Sequence, residues 1–227
     1  MAGAVVSDLH IFAERSRIEE FDSIIISHAA TSDFMVLDGD IFDFEWTMLA
    51  SVETTVKHAV AWLENLIEKH PACQFYYILG NHDSHPLFVK ALQNIKLPNF
   101  RWSENYFIIG DNLFIHGDVR NLDEQLRRKD IRHPEVPRGR MMSRTYEMVL
   151  KSGVQNLAYF THNRHVSVRV LYSKLKKSGI FGKHNIKHVY FGHTHFPFSD
   201  MKFRNITFHN TGTIVKGFKT NFIVLDD

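Results

Sequence analysis

Short apolar runs alternate with longer stretches of helical spacing in the first hundred residues. Ala4–Val6, Phe34–Leu37 and Phe75–Leu79 are compact apolar runs, the pattern of strands buried on both faces. Between the first two, Ile18, Phe21, Ile24, Ile25 and Ala29 recur at intervals of about three to four residues, which predicts a helix over Arg17–Ala30. Val52, Val56, Ala59, Val60, Leu63, Leu66 and Ile67 repeat in the same way and predict an amphipathic helix over Val52–Lys69. A further helix is expected over Pro86–Asn94, because proline fits the first turn, where its missing N–H is no loss. Strand and helix in strict alternation predict parallel strands joined by crossover helices.

The pattern changes near Arg101. Tyr106–Ile109 and Leu113–His116 flank Gly110-Asp111-Asn112, a hairpin signal because Gly and Asn tolerate positive φ. Residues 119–185 read as mainly helical, with a helix over Met141–Phe160 and another over Val166–Ser178, stopped by Gly179. This stretch separates two strand-end motifs and is read as a helical cap inserted into a single α/β domain spanning 1–227. Strands are expected again at His188–Phe191, Phe198–Phe203, Ile206–His209 and Phe222–Leu225.

Composition changes this picture in three ways. At 227 residues and 44% hydrophobic, the chain can bury one sizeable core but is short for two domains. No run approaches the length of a membrane-spanning helix, the N-terminus lacks the pattern of a secretory leader, and the single cysteine, Cys73, cannot form an internal disulfide. A cytoplasmic location is therefore expected. The net charge of +2 is unevenly spread: Arg120–Lys187 holds 16 of the 27 basic residues and 5 of the 25 acidic ones. Such a lobe suits an anionic substrate or surface, although helices rich in Lys and Arg also serve solubility alone.

Candidate chemistry lies at the ends of the apolar runs. Ser7-Asp8-Leu9-His10, Asp38-Gly39-Asp40-Ile41-Phe42-Asp43, Gly80-Asn81-His82-Asp83, Ile115-His116-Gly117-Asp118 and Gly192-His193-Thr194-His195 each sit at or just after a strand-like segment. In α/β sheets, sites form outside the carboxyl ends of strands, so these ends are expected to converge on one crevice. If the segments are extended, Asp8 and His10 point to one side, as do His193 and His195. Gly39, Gly80, Gly117 and Gly192 allow tight turns and close backbone approach. Imidazole and oxygen ligands without thiolate suit manganese, iron, zinc or a similar ion. Each motif alone is a weak signal; five in one chain, each ending an apolar run, point to a metal centre.

The order DxH, GDxxD, GNHD, HGD and GHTH resembles the calcineurin-like metallophosphoesterase family over nearly the whole chain. The resemblance implies a four-layer α/β/β/α sandwich with mixed sheets, here with the inserted cap, and a dinuclear centre. It implies that Asp8, His10, Asp40 and His195 hold one ion, that Asp40, Asn81, His116 and His193 hold the other, and that Asp40 bridges them. The cofactors are then two divalent ions, manganese expected first, with iron, zinc, cobalt or nickel also compatible. Two such ions clamp a phosphate and activate a bridging hydroxide that attacks phosphorus. His82 is expected to contact the phosphate or protonate the leaving oxygen, and Asp43 to orient His82. A helix-terminal charge is the plainer reading of Asp43.

Within that family the layout is similar to the UDP-2,3-diacylglucosamine pyrophosphohydrolases of lipid A biosynthesis, which have a helical cap between the HGD and GHTH motifs and an aromatic segment after GD, here Ile41-Phe42-Asp43-Phe44-Glu45-Trp46. That branch usually has arginine where His82 stands, a departure that leaves other phosphomonoesters, phosphodiesters and nucleotides open. The expected partner is a small anionic or lipid-linked phosphate substrate, with peripheral contact to an anionic membrane surface as a further expectation. Arg138, Arg140, Arg144 and Arg164 are weak candidates for phosphate contacts, a solvated surface residue being the better reading of any single one. Asn210 resembles a family loop near the metals. A scaffold that has lost its ligands is disfavoured because the ligand set is complete. A nuclease is disfavoured because the basic lobe shows no aromatic stacking platform among its arginines.

Overall fold

A computed structural model describes residues 1–122, 125–128 and 163–225. The first half follows the predicted alternation: β1 (Gly3–Val6), α1 (Ile18–Thr31), β2 (Phe34–Asp38), α2 (Val52–Lys69), β3 (Gln74–Ile78), α3 (Pro86–Leu92) and β4 (Phe100–Ser103). Then come β5 (Phe107–Ile109), β6 (Asn112–Phe114), β7 (Val119–Leu122) and β8 (Gln125–Arg128). After them lie α4 (Arg164–Lys177), α5 (Ile180–Lys183), β9 (His188–Phe191), β10 (Phe198–Phe203), β11 (Ile206–Asn210) and β12 (Ile223–Leu225).

Two five-stranded sheets form the centre, in the orders β12-β1-β2-β3-β4 and β10-β11-β9-β6-β5. The first is parallel except for β12, which runs antiparallel to β1. The second is mixed: β6, β9 and β11 are parallel, and β5 and β10 run against them at the edges. Side-chain alternation sorts the residues into layers. Val5, Val36 and Ile78 of the first sheet meet Phe114 and Tyr190 of the second. Ala4, Val6, Met35, Leu37, Phe75 and Tyr77 face the other way, onto Ile25, Ala59, Leu63, Ile67 and Phe88 of α1–α3. Leu113, Val189, Phe191 and Phe208 pack on Val168, Leu171, Leu175 and Ile180 of α4 and α5. The expected α/β/β/α layering follows.

Local chemistry sets the element ends. The Ser51 hydroxyl accepts the Thr54 N–H at 3.1 Å and starts α2. Asn163 caps α4 through the His165 N–H at 3.0 Å, and Gly179, at φ 74°, ends it. One expectation changes and one strand is new. The expected hairpin β5–β6 forms and lies in the second sheet, and β4, which carries Arg101 and Trp102 on an outer strand, shows no apolar run by which to predict it. In the stretch read as helical over 119–185, the first residues form the hairpin β7–β8, whereas α4 and α5 match the reading. The predicted helix Met141–Phe160 lies outside the described residues, as do Arg138, Arg140 and Arg144.

Candidate metal centre

The carboxyl ends of β1, β2, β3, β6 and β9 all open on one edge of the sandwich. Asp8, Asp40, His116 and His193 each follow their strand's last residue by two positions, and Asn81 follows by three. The His193 N–H beyond β9 donates to Asp8 beyond β1, which ties the two sheets at this edge. Beyond β1 and β2 the backbones keep bonding, Asp8 N–H to Gly39 O and His10 N–H to Asp40 O, both at 3.0 Å, and Gly192 N–H reaches His116 O at 3.2 Å.

The expectation that Asp8/His10 and His193/His195 sit in extended segments is not met. Asp8 (φ 52°), His10 (47°), Asp40 (52°), His193 (62°) and His195 (58°) all take left-handed conformations. Asp and His tolerate that region better than most residues, yet each instance costs about 1–3 kcal/mol in strain and collects at functional sites. The consequence is that His193 and His195 do not act as a one-faced pair: they separate into two groups. Ligand-type atoms of Asp8, His10 and His195 lie within 4.8 Å of one another, and so do those of Asp40, His116 and His193. A third set, His10, Asp43 and His82, meets the same limit.

Close approach at this edge depends on glycine. A Cβ on Gly80 would overlap the Asp40 carboxylate, and one on Gly192 would overlap the carboxylate of Asp8. Both glycines therefore serve as the places where two strand ends can touch.

Fixed partners hold each side chain. Asp8 accepts the His193 N–H at 3.0 Å and the Ser7 hydroxyl, and its Oδ1 lies 3.1 Å from His195 Nε2. Asp40 accepts the His82 N–H at 2.7 Å and lies 3.2 Å from His116 Nε2. His116 Nδ1 donates to the Asp38 carbonyl at 2.9 Å, and His10 Nδ1 donates to Asp43 Oδ2 at 3.1 Å. In both rings Nδ1 is thus the protonated nitrogen, which leaves Nε2 as the one that can turn to a cation. Asp43 does not stand at a helix terminus, so the reading of it as a helix-terminal charge is not met: Oδ1 takes the N–H groups of Glu45 and Trp46 in the loop after β2, while Oδ2 faces two histidines.

Burial alone would raise the carboxylic pKa values, but the histidines around Asp8, Asp40 and Asp43 outweigh it and hold all three below the usual range. In return, Asp43 and Asp40 overcome the burial of His82 and push it up to about 10, and Asp40 and Asp8 do the same for His116. Burial and the neighbouring His116 lower His193 to about 4.

The site meets the requirements of a cation pair on its own chemistry. His10 Nε2, His116 Nε2 and Asn81 Oδ1 are buried without a hydrogen-bond partner, although buried polar groups are rarely left so. Every one of these atoms is the ligand-type atom of its side chain, and buried carboxylates surround them. Such a surplus of negative charge and orphaned lone pairs is costly unless positive charge sits among them.

Residues without an assigned role in the sequence prove structural. Asp83, fully buried, accepts Ile41 N–H at 2.9 Å, Tyr77 O–H at 2.6 Å and Gly80 N–H at 2.6 Å, tying the loops after β2 and β3 together. Thr213 donates to the Asp8 carbonyl at 2.6 Å, and Thr211 contacts Ser7. Asn210 bonds Gly192 O at 2.9 Å and Thr194 Oγ1 at 3.1 Å, so it shapes the loop carrying His193 and His195. Asp38 is fully buried with both oxygens unpartnered, and burial raises its pKa well above the usual value. Arg164 stands exposed in the first turn of α4.

Among solved structures, a dimetal phosphatase from Danio rerio resembles this chain with a TM-score of 0.52 at 10% identity, covering 99% of this chain and 91% of its own. Vps29 from Chaetomium thermophilum aligns at 12% identity over 100% and 80% of the two chains, with a TM-score of 0.41. A 5'-nucleotidase from Staphylococcus aureus, itself assigned by inference, aligns at 15% identity over 99% and 50%, with a TM-score of 0.45. Identities this low speak to fold alone. No curated protein matches the sequence. No helix among the described residues is long and apolar enough to cross a membrane. The model of the calcineurin-like phosphoesterases matches residues 3–197, most of the chain, and with it the chain belongs to that family and is a metallophosphoesterase.

Proposed function

We propose that this protein hydrolyses phosphoester or pyrophosphate bonds at a pair of divalent ions, one held by Asp8, His10, Asp40 and His195 and the other by Asp40, Asn81, His116 and His193. The observation that carries the reading is the convergence of unpartnered, buried ligand atoms, His10 Nε2, His116 Nε2 and Asn81 Oδ1, on the same strand ends as the Asp8 and Asp40 carboxylates. When bound, the ions would supply Lewis acidity to phosphoryl oxygens and acidify water at neutral pH. Manganese is the first ion to try, because an oxygen- and imidazole-rich set without thiolate suits it.

The chain's own groups do the rest. Asp8 and Asp40, fixed by backbone N–H groups, set the ligand positions before substrate arrives, so little reorganisation accompanies binding. His82 stands at the partly open side of the cluster, its ring 4.8 Å from that of His10. From there it can donate to a phosphoryl oxygen or to the departing oxygen. Hydrolysis of a chromogenic phosphodiester with added Mn²⁺ tests the activity. A chain that binds two Mn²⁺ ions yet turns over no phosphomonoester, phosphodiester or pyrophosphate would be a scaffold, and the proposal would fall.

For the substrate we propose a lipid-linked diphosphate of the UDP-2,3-diacylglucosamine kind. The basic balance of Arg120–Lys187 supports it, as a partner for an anionic diphosphate. A peripheral location at an anionic membrane face accords with such a substrate. Nucleotides and small phosphodiesters form the second reading, favoured by His82 standing where the lipid A branch has arginine. A panel comparing the lipid diphosphate with nucleoside diphosphates and bis-phosphodiesters separates them, and kcat/KM highest for a nucleotide would overturn the lipid assignment.

A further inference from the structure

We infer that Asp43 is a positioning residue for the ligand His10, so that one carboxylate oxygen ties ion affinity at the Asp8–His10–His195 position to the place where His82 acts. The inference rests on the metal reading above. Asp43 is buried, and its two oxygens have separate duties. Oδ1 accepts from Glu45 N at 3.0 Å and Trp46 N at 2.8 Å, which pins the carboxylate to the backbone. Oδ2 is then held in place, 3.1 Å from His10 Nδ1 and 3.2 Å from His82 Nδ1.

The two histidines do not share that oxygen equally. His10 Nδ1 meets it with full hydrogen-bond geometry at 3.1 Å, whereas His82 Nδ1, 3.2 Å away, pairs with it by charge and with poorer hydrogen-bond geometry. Asp43 therefore dictates the tautomer of His10 more directly than that of His82. With its proton on Nδ1, His10 keeps the Nε2 lone pair for the cluster, where that atom is buried, unpartnered and 4.0 Å from Asp8 Oδ1. His116 does the same job in the other group, but its Nδ1 leans on the Asp38 carbonyl. A carboxylate behind an imidazole fixes the ring and raises its basicity as a ligand, more strongly than a neutral carbonyl. The two ion positions are accordingly built unequal, and only one of them passes through Asp43.

The substitution Asp43→Asn separates these roles. The amide oxygen can still accept from Glu45 and Trp46, but the amide N–H₂ would face His10 Nδ1 as a donor. His10 would then carry its proton on Nε2, the nitrogen it needs for the ion. Titration of the full-length, metal-free protein with Mn²⁺ by calorimetry, with metal content by elemental analysis, reads the effect. Asp43→Asn should weaken one of two Mn²⁺ sites by about 10–100-fold and leave the other unchanged. His82→Ala should leave both as in the parent. In the metal-free protein, nitrogen-15 imidazole shifts should report a protonated Nδ1 at His10 in the parent and a protonated Nε2 in the variant. Asp43→Ser, which keeps a turn acceptor and removes the carboxylate oxygen that accepts from His10, serves if the asparagine variant does not fold and should also weaken one site.

Three results would overturn the inference. Wild-type affinity at both sites in the Asp43 variants is the first. An unchanged His10 tautomer is the second. The third is a third Mn²⁺ ion lost in Asp43→Asn and in His82→Ala alike, which would make Asp43 a ligand of the His10–Asp43–His82 group. His10→Ala marks the underlying reading separately. If it binds two Mn²⁺ ions with parental affinity, the metal assignment itself is wrong, whatever Asp43 does.

Discussion

Strand β9 leads to two groups of histidines that differ in their partners. At its start, His188 stacks with His209 and Tyr190: the Tyr190 and His209 rings are 4.5 Å apart and 10° from parallel, and His188 Nδ1 lies 3.1 Å from His209 Nε2. The Asp200 N–H donates to His209 Nδ1 at 3.3 Å, so both His209 nitrogens are occupied. Past the end of β9, His193 and His195 join His10, His82 and His116 among buried carboxylates, with lone pairs left over. In the first group the ring nitrogens of His209 are both partnered, and burial lowers its pKa to about 4. In the second, carboxylates push His82 up to about 10, while burial and the neighbouring His116 lower His193 to about 4, so charges are divided within the cluster. A chain with 15 histidines thus reveals its site not by their number but by which of them lack a partner and face carboxylates.

The strongest way to break this contrast is to remove a group belonging to the ion-binding cluster. Asp40→Ala deletes the carboxylate proposed to bridge the two ions, and His116→Ala deletes a proposed ligand nitrogen. Either should abolish turnover and bound metal together, read by activity and elemental analysis on the same sample. Full activity from either variant in a metal-free preparation would end the proposed mechanism. His82→Ala sharpens the boundary of the cluster instead. Metal content should persist while kcat falls by about 10²–10⁴-fold, the range for a positioned proton donor. Unchanged kcat would remove His82 from the chemistry.

The contrast also shows what the sequence makes legible. The strands and helices up to α3 follow from periodicity, because Val5, Val36 and Leu63 obey the simple rule that apolar spacing matches element geometry. The ligand types at Asp8, Asp40 and His116 could be read because each ends an apolar run. The left-handed backbone at Asp8, His10 and His193 could not, since it is imposed by loops meeting from distant parts of the chain. Nor could the support from Thr211 and Thr213, about 200 residues from the Ser7-Asp8 pair they brace. No local pattern marks a threonine for that duty. Asp43 lies between these cases: its motif was visible, but the preference of its oxygen for His10 over His82 is a matter of angle.

A smaller perturbation tests whether close backbone approach, rather than ligand identity alone, builds the cluster. In Gly192→Ala the new methyl group would meet the Asp8 carboxylate and the Ser7 side chain, both buried. Relief requires the loop after β9 or Asp8 itself to move, at a cost of about 1–3 kcal/mol typical of overpacking. Weaker Mn²⁺ binding at the Asp8 position and a lower urea midpoint are expected together. Gly110→Ala, at a turn with open space around its Cα but a φ of 61°, should cost stability without touching Mn²⁺ affinity. Equal loss of Mn²⁺ affinity in both variants would mean that the effect is general destabilisation.

The smallest effect falls on the other histidine group and depends on pH. His209 has a folded pKa of about 4, below the ordinary value of 6.5, because burial and the nearby His188 disfavour its charge more than Asp200 favours it. Above pH 6.5 neither folded nor unfolded chains carry the proton, and the contribution of the neutral ring is fully present. As pH falls from 6.5 towards 4, the unfolded chain takes up a proton that the folded chain refuses, and stability is lost across that window. By pH 5 the loss should be about 1–2 kcal/mol, after allowance for partial solvation of the ring. His209→Phe keeps a ring against Tyr190 but cannot titrate, so its stability relative to the parent should improve by that amount between pH 7.5 and pH 5 in urea unfolding. Its Mn²⁺ affinity at pH 7.5 should match the parent, because the satisfied histidines take no part in the cluster. A gap between parent and variant that stays constant over this range would show that His209 is not held neutral by its surroundings, and the contrast between the two ends of β9 would lose its electrostatic basis.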